Sequence, residues 1–225
     1  MKLDSVVPLG RSFEEYSQMF DLSSHDLKSK IVGVGDGPAS FNSTMNKMRY
    51  SVVSVDPIYT FNSHEIKSQF ERHIDNIIKQ VRGSPDEWIW KFHASPEELK
   101  KHRRQVISQF SDDFESGKKE KRYIVGELPS LSFENDQFEL ALCSHFLFLY
   151  SEHFDYEFHE KSIEEILRVS KEIRIFPLLD LEKHRSKYVA PLINLYENKG
   201  CEVEVRKVNY ELQRGGNEML RIRKN

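Results

Sequence analysis

Apolar residues along this chain fall into two rhythms. Short β-branched or aromatic runs of strand length sit at Ile31–Val34, Ser51–Val55, Tyr123–Gly126, Phe138–Cys143, Glu172–Leu178, Cys201–Val208 and Glu218–Arg223. Between them, apolar positions recur three and four residues apart, which is the signature of amphipathic helices. Ser12–Phe20 carries Phe13, Tyr16, Met19 and Phe20 at helical spacing, and a capped turn, SSHDLKSK, then leads into the first strand. Phe41–Met48 forms a short helix. From Ser63, read as an N-cap, Ile66, Phe70, Ile74 and Ile77 make one face of a longer helix that Gly83 and Pro85 stop. Helices are also predicted over Phe146–Glu152, Phe158–Val169 and His184–Lys199, the last stopped by Gly200. Strands alternating with helices predict an α/β fold: a doubly wound, seven-stranded, mostly parallel sheet.

One segment interrupts the alternation. Residues 84–121 are long, charged and aromatic at one end. Ser95, Pro96 and Glu98 form a helix start, Leu99, Val106, Ile107 and Phe110 give that helix an apolar side, and Gly117 with KKEKR ends it. The segment reads as a helical insertion lying over the sheet, a lid. Trp88, Trp90 and Phe92 are either its own core or a lining that excludes water from a ligand. Its basic run, KKHRR, is ringed by acids and reads as a solvated helix face.

Composition narrows the function classes. The chain has 225 residues, a formal net charge of −3 and a pI near 6.3, which disfavours a nucleic-acid binder. Cys143 and Cys201, the only cysteines, make no disulfide framework or zinc site and read as reduced core thiols of a cytoplasmic protein. MKLDSVVPLG has no apolar run of signal-peptide length, and FELALCSHFLFLY is too short and too polar to span a membrane.

The chemistry concentrates in Ile31–Tyr59, IVGVGDGPASFNSTMNKMRYSVVSVDPIY. Gly33, Gly35 and Gly37 alternate after the first strand, followed by Pro38, and the second strand ends on Asp56, followed by Pro57 and Ile58. A turn whose backbone can approach a ligand, with an acid placed for a ribose, is half of a nucleotide-binding sheet. That much suits a nicotinamide dinucleotide as well as other nucleosides, although Pro38 breaks the GxGxxG spacing.

With the later segments the chain resembles the class I, Rossmann-like S-adenosylmethionine-dependent methyltransferases. VGDGPA stands for that family's glycine turn, and Asp56 for its ribose-binding acid. GELPSLSFENDQFELAL is similar to the run preceding its fourth strand, and CSHFLFLY to the segment following it. The GPASF turn, DPIY and RGGN are shared with a small group of uncharacterised members. The resemblance implies one methyltransferase domain over 30–225, with 1–29 as N-terminal helices and 84–121 inserted. It implies S-adenosylmethionine as cofactor and S-adenosylhomocysteine as product. Gly33, Gly35, Asp36, Gly37, Pro38, Asp56, Pro57, Ile58, Glu127, Leu128, Ser144 and His145 are its expected contacts. The family places an acid two residues before the first glycine of the turn. Here that position is Gly33, and Asp36 is the candidate to compensate.

Methyl transfer from a sulfonium depends mainly on holding the nucleophile in line, with a base needed only if the acceptor must lose a proton. His145 and then Tyr150 are the candidate catalytic groups, with His153 and His159 nearby; no metal is expected, because three histidines spaced eight and six apart do not share a helix face. Tyr16 or Phe20 covers a ligand or packs on the sheet. Arg214 holds an acceptor's anionic group or lies on the surface. The expected activity is methyl transfer to a small molecule, with oligomeric state open. The competing readings are a non-catalytic cofactor-binding protein, methylation of a macromolecule and a nicotinamide-dependent oxidoreductase.

Overall fold

A computed structural model describes residues 7–225; Met1 to Val6, part of the expected N-terminal segment, lie outside the described residues. Seven strands form one sheet: β1 (Ile31–Val34), β2 (Val52–Val55), β3 (Tyr123–Ile124), β4 (Phe138–Ser144), β5 (Ser170–Phe176), β6 (Glu202–Lys207) and β7 (Glu218–Arg223), in the order β3-β2-β1-β4-β5-β7-β6. All neighbours are parallel except β7, which runs antiparallel to β5 and β6. β1 is central, with Ile31 opposite both Val52 and Leu140. Its residues are all buried, because helices cover both faces, and the strand therefore reads as a continuous apolar run.

Strand alternation divides the core in two. Ile31, Leu140, Leu142 and Met219 face α1 (Phe13–Met19), α2 (Phe41–Lys47), α3 (Ser63–Gly83) and α4 (Pro96–Lys119). Val32, Ala141, Cys143 and Ile175 face α5 (Tyr156–Val169) and α6 (Val189–Asn198). Both cysteines are free thiols, Cys143 buried and Cys201 half-buried.

Several expected boundaries move for local reasons. The cap of α3 is Asn62, not Ser63: its side chain accepts from the Glu65 N–H while Glu65 reaches back to the Asn62 N–H. Gly117 lies inside α4 rather than ending it; a Cβ there would sit 2.4 Å from the Tyr123 ring, so the glycine lets the helix press on β3. Residues 146–152 form consecutive turns, not a helix, since Leu147 and Phe148 point into the core while Phe146, Leu149 and Tyr150 point to a cavity. The helix expected from His184 begins at Val189, because Ser186 bonds back to the Leu178 carbonyl and holds 184–188 as a loop.

The insertion is also placed differently. α4 packs against α2 and β3, so it is a regular layer helix. α3, outside the expected 84–121 boundaries, packs mainly on α4 and turns Ile74, Ile77, Ile78 and Val81 towards a cavity. α3 therefore shares the covering of the cavity with Trp88, Leu99 and Arg103 of the 84–121 segment. The N-terminal helix is not separable either, because Tyr16, Met19 and Phe20 belong to the same core as α2 and β1.

Glu15 of α1 ties these parts together. It is fully buried. Its carboxylate accepts from the Ser12 N–H (2.9 Å), from both terminal nitrogens of Arg103 on α4 (2.6 and 2.7 Å) and from the Tyr210 hydroxyl (2.7 Å). Those four bonds fill its acceptor sites. Burial opposes its charge, yet the Arg103 guanidinium, which is itself 3% exposed, holds the carboxyl well below its usual range. Arg103 belongs to the run read as a solvated face. Arg104 and Lys100 do face outward, paired with Glu71 and Asp75, but Arg103 is in phase with Leu99, Val106 and Ile107 and turns inward. Removing one partner of a buried pair leaves an uncompensated charge, which costs about 3–5 kcal/mol. Glu15→Ala should therefore lower Tm by roughly 10 °C at this chain length. A change of under about 3 °C would show that the cluster is not a structural pin.

Candidate active site

A cavity of about 490 Å³ opens at the carboxyl ends of β1 to β5, where open α/β sheets bind ligands. The glycine turn after β1 forms one wall. Gly35 and Gly37 have φ of +63° and +53°, the left-handed region that glycine enters without strain. The Gly35 N–H donates to the Val55 carbonyl (2.9 Å). Gly37 is clamped at both ends of its backbone: its N–H donates to Asp56 (2.8 Å) and its carbonyl accepts from the Tyr59 hydroxyl (2.6 Å). The second Asp56 oxygen accepts from the Ile58 N–H (2.9 Å). A Cβ on Gly37 would meet nothing within 4 Å, so this peptide faces open space. Asp56 keeps two acceptor positions beyond its two backbone bonds. Gly35, Asp36, Gly37, Pro38, Asp56, Pro57 and Ile58 all line the cavity.

Gly33 does not line it. The Asp36 carboxyl group folds back over Gly33, 2.5–2.6 Å from where a Cβ would stand. The carboxylate missing from the strand is thus delivered from the turn into nearly the same place, and Gly33 is small to admit it. Asp36 accepts from the hydroxyls of Tyr16 and Ser54 and is 5% exposed. Burial pushes its pKa up to about 6, against the two hydroxyl bonds that favour the ionised form. Burial likewise raises Asp56 to about 6, against the bonds from Ile58 and Gly37.

Beyond β4, Ser144 and His145 line the same cavity, with Ser144 Oγ 3.0 Å from His145 Nδ1. His145 has φ +52°, its N–H donates to the Phe176 carbonyl (2.6 Å), and its ring packs edge-on to Phe176. Burial, with the guanidinium groups of Arg11 and Arg103 near by, pushes its pKa well below the usual value. The imidazole is therefore neutral at pH 7, and the same burial and neighbouring cations make it a weak base. Tyr150 also lines the cavity, but burial raises its pKa and its oxygen accepts from the Val7 N–H (3.3 Å). His153 is exposed, and both ring nitrogens of the buried His159 are engaged with the carbonyls of Asp155 and Leu147. Glu127 and Leu128 contribute to the wall after β3. Among the described residues no group of three or more His, Cys, Asp or Glu side chains is placed to hold a metal ion.

The expected acceptor residues divide. Tyr16 lines the cavity while its hydroxyl steadies Asp36. Phe20 is fully buried in the core against Phe176 and does not line the cavity. Arg214 is directed away: its Nε donates to the Asp86 carbonyl (2.7 Å) on the surface, latching the RGGN loop to the 85–90 strap. Trp88 lines the cavity, whereas Trp90 and Phe92 pack on the core. The arginines that do reach the cavity are Arg11 and Arg103. Nothing local in the sequence marks Arg11; Arg103 is betrayed only by its helical phase.

This strand order, with an antiparallel seventh strand, a glycine turn after β1 and an acid after β2, is the fold of the class I methyltransferases. Solved structures with it include the magnesium protoporphyrin IX methyltransferase of Synechocystis PCC 6803, solved with bound S-adenosylmethionine (TM-score 0.50, 10% identity, covering 94% of this chain and 81% of that one). The mitomycin 7-O-methyltransferase superposes at TM-score 0.52 with 11% identity, over 95% of this chain and 54% of that one. By sequence the chain is 35% identical over 225 residues to the uncharacterised protein MJ0045 of Methanocaldococcus jannaschii, spanning 100% of this chain and 99% of that protein, and it belongs to the same family. No family model matches it.

The raised pKa of Asp36 makes a stability prediction. A carboxyl group whose folded pKa of about 6 lies above its unfolded value of 3.8 contributes nothing below pH 3.8, destabilises progressively between those two values, and destabilises by a constant amount above about pH 6. Both Asp36 partners are hydroxyls, which can turn to accept from an amide, so Asp36→Asn should fold. Relative to the parent, its stability should rise by about 2 kcal/mol between pH 4 and pH 7. Denaturant midpoints at the two pH values measure this, and a difference independent of pH would refute it.

Proposed function

We propose that this protein transfers the methyl group of S-adenosylmethionine to a small-molecule acceptor. The observation that carries the reading is the clamped glycine turn: an open Gly37 peptide whose N–H is fixed by Asp56, a carboxylate with acceptor capacity to spare. In this reading Asp56 receives the ribose hydroxyls, and Pro57, Ile58, Glu127 and Leu128 flank the base. Gly35, Gly37 and Pro38 pass close under the nucleoside. Asp36, Ser144 and His145 face the methionine portion. A carboxylate near that portion complements the ammonium group it carries.

When bound, the cofactor supplies an electrophilic methyl on a positively charged sulfur. The chain's own part is to orient and to exclude water. α3 and the Trp88 strap cover the cavity, and its wall is largely apolar. Where the acceptor must lose a proton, the neutral His145 ring is our candidate to receive it, as a weak base whose protonated form burial disfavours. Its Nδ1 meets the Ser144 hydroxyl, which leaves Nε2 as the second ring nitrogen. We assign the protein to the cytoplasm; among the described residues no helix is long and apolar enough to cross a membrane.

Calorimetry tests the reading directly. S-adenosylmethionine and S-adenosylhomocysteine should each bind, and the nicotinamide dinucleotides should not. Asp56→Ala should weaken S-adenosylhomocysteine by more than tenfold, since two charge-assisted bonds are lost. Absence of heat with both sulfur ligands would refute the proposal, and an unchanged affinity in a folded Asp56→Ala protein would refute the ribose assignment.

A further inference from the structure

The cavity changes character along its length. Arg11, Asp36, Asp56 and Glu127, which line it, belong to the glycine turn, the N-terminal segment beside it and the ends of β2 and β3. That N-terminal segment is bonded to the turn region, where the Ser40 N–H donates to the Arg11 carbonyl (3.0 Å). These charges therefore stand around the seat proposed for the cofactor.

Past His145 the wall becomes apolar. The His145 ring packs on Phe176 (ring centroids 5.4 Å apart) and Phe176 on Tyr210 (5.9 Å), and both line the cavity. Leu212 lies two residues further on, in the loop between β6 and β7. The 85–90 strap is stitched to that loop: Trp88 pairs with Gln213, and the Ile89 N–H donates to the Leu212 carbonyl (2.8 Å). Above them the C-terminal half of α3 presents Ile74, Ile77, Ile78 and Val81, a single face by their three- and four-residue spacing. All four line the cavity, yet they are only 1% to 4% exposed, so water scarcely reaches this part. It is a narrow dry slot that continues the candidate active site. Dry apolar cavities take up apolar molecules of matching size.

The polar groups bordering the slot are already engaged. Arg103 gives both terminal nitrogens to Glu15 (2.6 and 2.7 Å), and Tyr210 gives its hydroxyl to the same carboxylate (2.7 Å). Gln213 adds a neutral, half-buried amide. A charged ligand group in the slot would lose its hydration beside an ion pair that is already neutral, at a large cost, whereas an apolar group gains by leaving water.

From these observations we propose that the acceptor is an uncharged molecule whose apolar body enters the slot under α3, and that Val81 and Leu212 help to select it. The reacting atom then lies at the His145 end and the non-reacting body at the Trp88 end. The word acceptor rests on the methyltransferase reading; the slot itself is tested separately.

The experiment titrates 4-methyl-, 4-ethyl-, 4-propyl- and 4-butylphenol into the protein by calorimetry, with and without saturating S-adenosylhomocysteine. Each added methylene should tighten binding about fourfold, the gain for burying one such group. The charged counterparts 4-propylbenzoate and 4-propylbenzylamine should bind at least tenfold more weakly than 4-propylphenol. Val81→Phe fills the slot, and Leu212→Asn puts an amide into it. Each should weaken 4-butylphenol at least fivefold, with S-adenosylhomocysteine affinity within about twofold of the parent. Leu212 lies in a loop, so Leu212→Asn keeps the test decisive if Val81→Phe does not fold. Affinity independent of alkyl length, charged counterparts that bind as tightly as the phenol, no binding by any phenol, or a folded Leu212→Asn protein with the parent's affinity for 4-butylphenol would overturn the slot. Failure of S-adenosylhomocysteine to bind the parent protein would overturn the methyltransferase reading instead, and the phenol series without it would still decide the slot.

Discussion

The site depends on how one peptide unit is held. Gly37 lies in left-handed backbone, exposed to the cavity, and would be free to rotate if nothing fixed it. Asp56 takes its N–H and Tyr59 takes its carbonyl, and both come from the four residues that end β2 and open the following turn. Because β1 and β2 are adjacent parallel strands, the turn after one and the acid after the other arrive side by side. The DPIY sequence is thus a brace for the GDG sequence. Tyr59 is fully buried against Phe110, Phe114 and Tyr123, so the brace is anchored in the core that α4 and β3 share. A ligand-facing backbone is rigid here because the hydrophobic core extends to within one side chain of it.

Two carboxylates beside that turn are handled differently. Asp56 is satisfied by backbone N–H groups, and Asp36 by hydroxyls, and burial raises the pKa of each. Both sit where an approaching cation or hydroxyl would lower their energy. Beside the turn, on the N-terminal strap, Glu15 is fully bonded while Arg11 Nε has no hydrogen-bond partner. The cavity is polarised, with spare acceptors at the glycine turn and a spare donor at the N-terminal strap.

Much of the fold was readable because the central strands β1 and β4 bury both faces and so appear as apolar runs, while β6 shows as an alternation of apolar and charged residues. Asp56 was equally visible, since a β-branched run that ends on a lone acid is conspicuous. The compensation at Gly33 was legible only as a possibility; which way the Asp36 side chain turns depends on Tyr16 and Ser54, two contacts distant in sequence. Arg214 left two readings open, site or surface, because a cation beside two glycines suits either; its Nε is taken by a surface carbonyl. Arg11 and Arg103 look in sequence like any surface cations. Only packing turns them inward, although Arg103 keeps step with Leu99, Val106 and Ile107. The roof takes in α3 besides Trp88, Leu99 and Arg103 of the expected 84–121 segment. α3 and α4 are both long and amphipathic, and nothing local shows which of them touches the sheet.

The central claim is that a nucleoside lies across the clamped turn with its ribose on Asp56. A crystal structure of the protein with S-adenosylhomocysteine tests it most directly. The account predicts both ribose hydroxyls within hydrogen-bonding distance of the Asp56 carboxylate, with Gly37 unmoved and the sulfur facing Ser144 and His145. A nucleoside bound elsewhere in the cavity, or a ribose making no contact with Asp56, would contradict it.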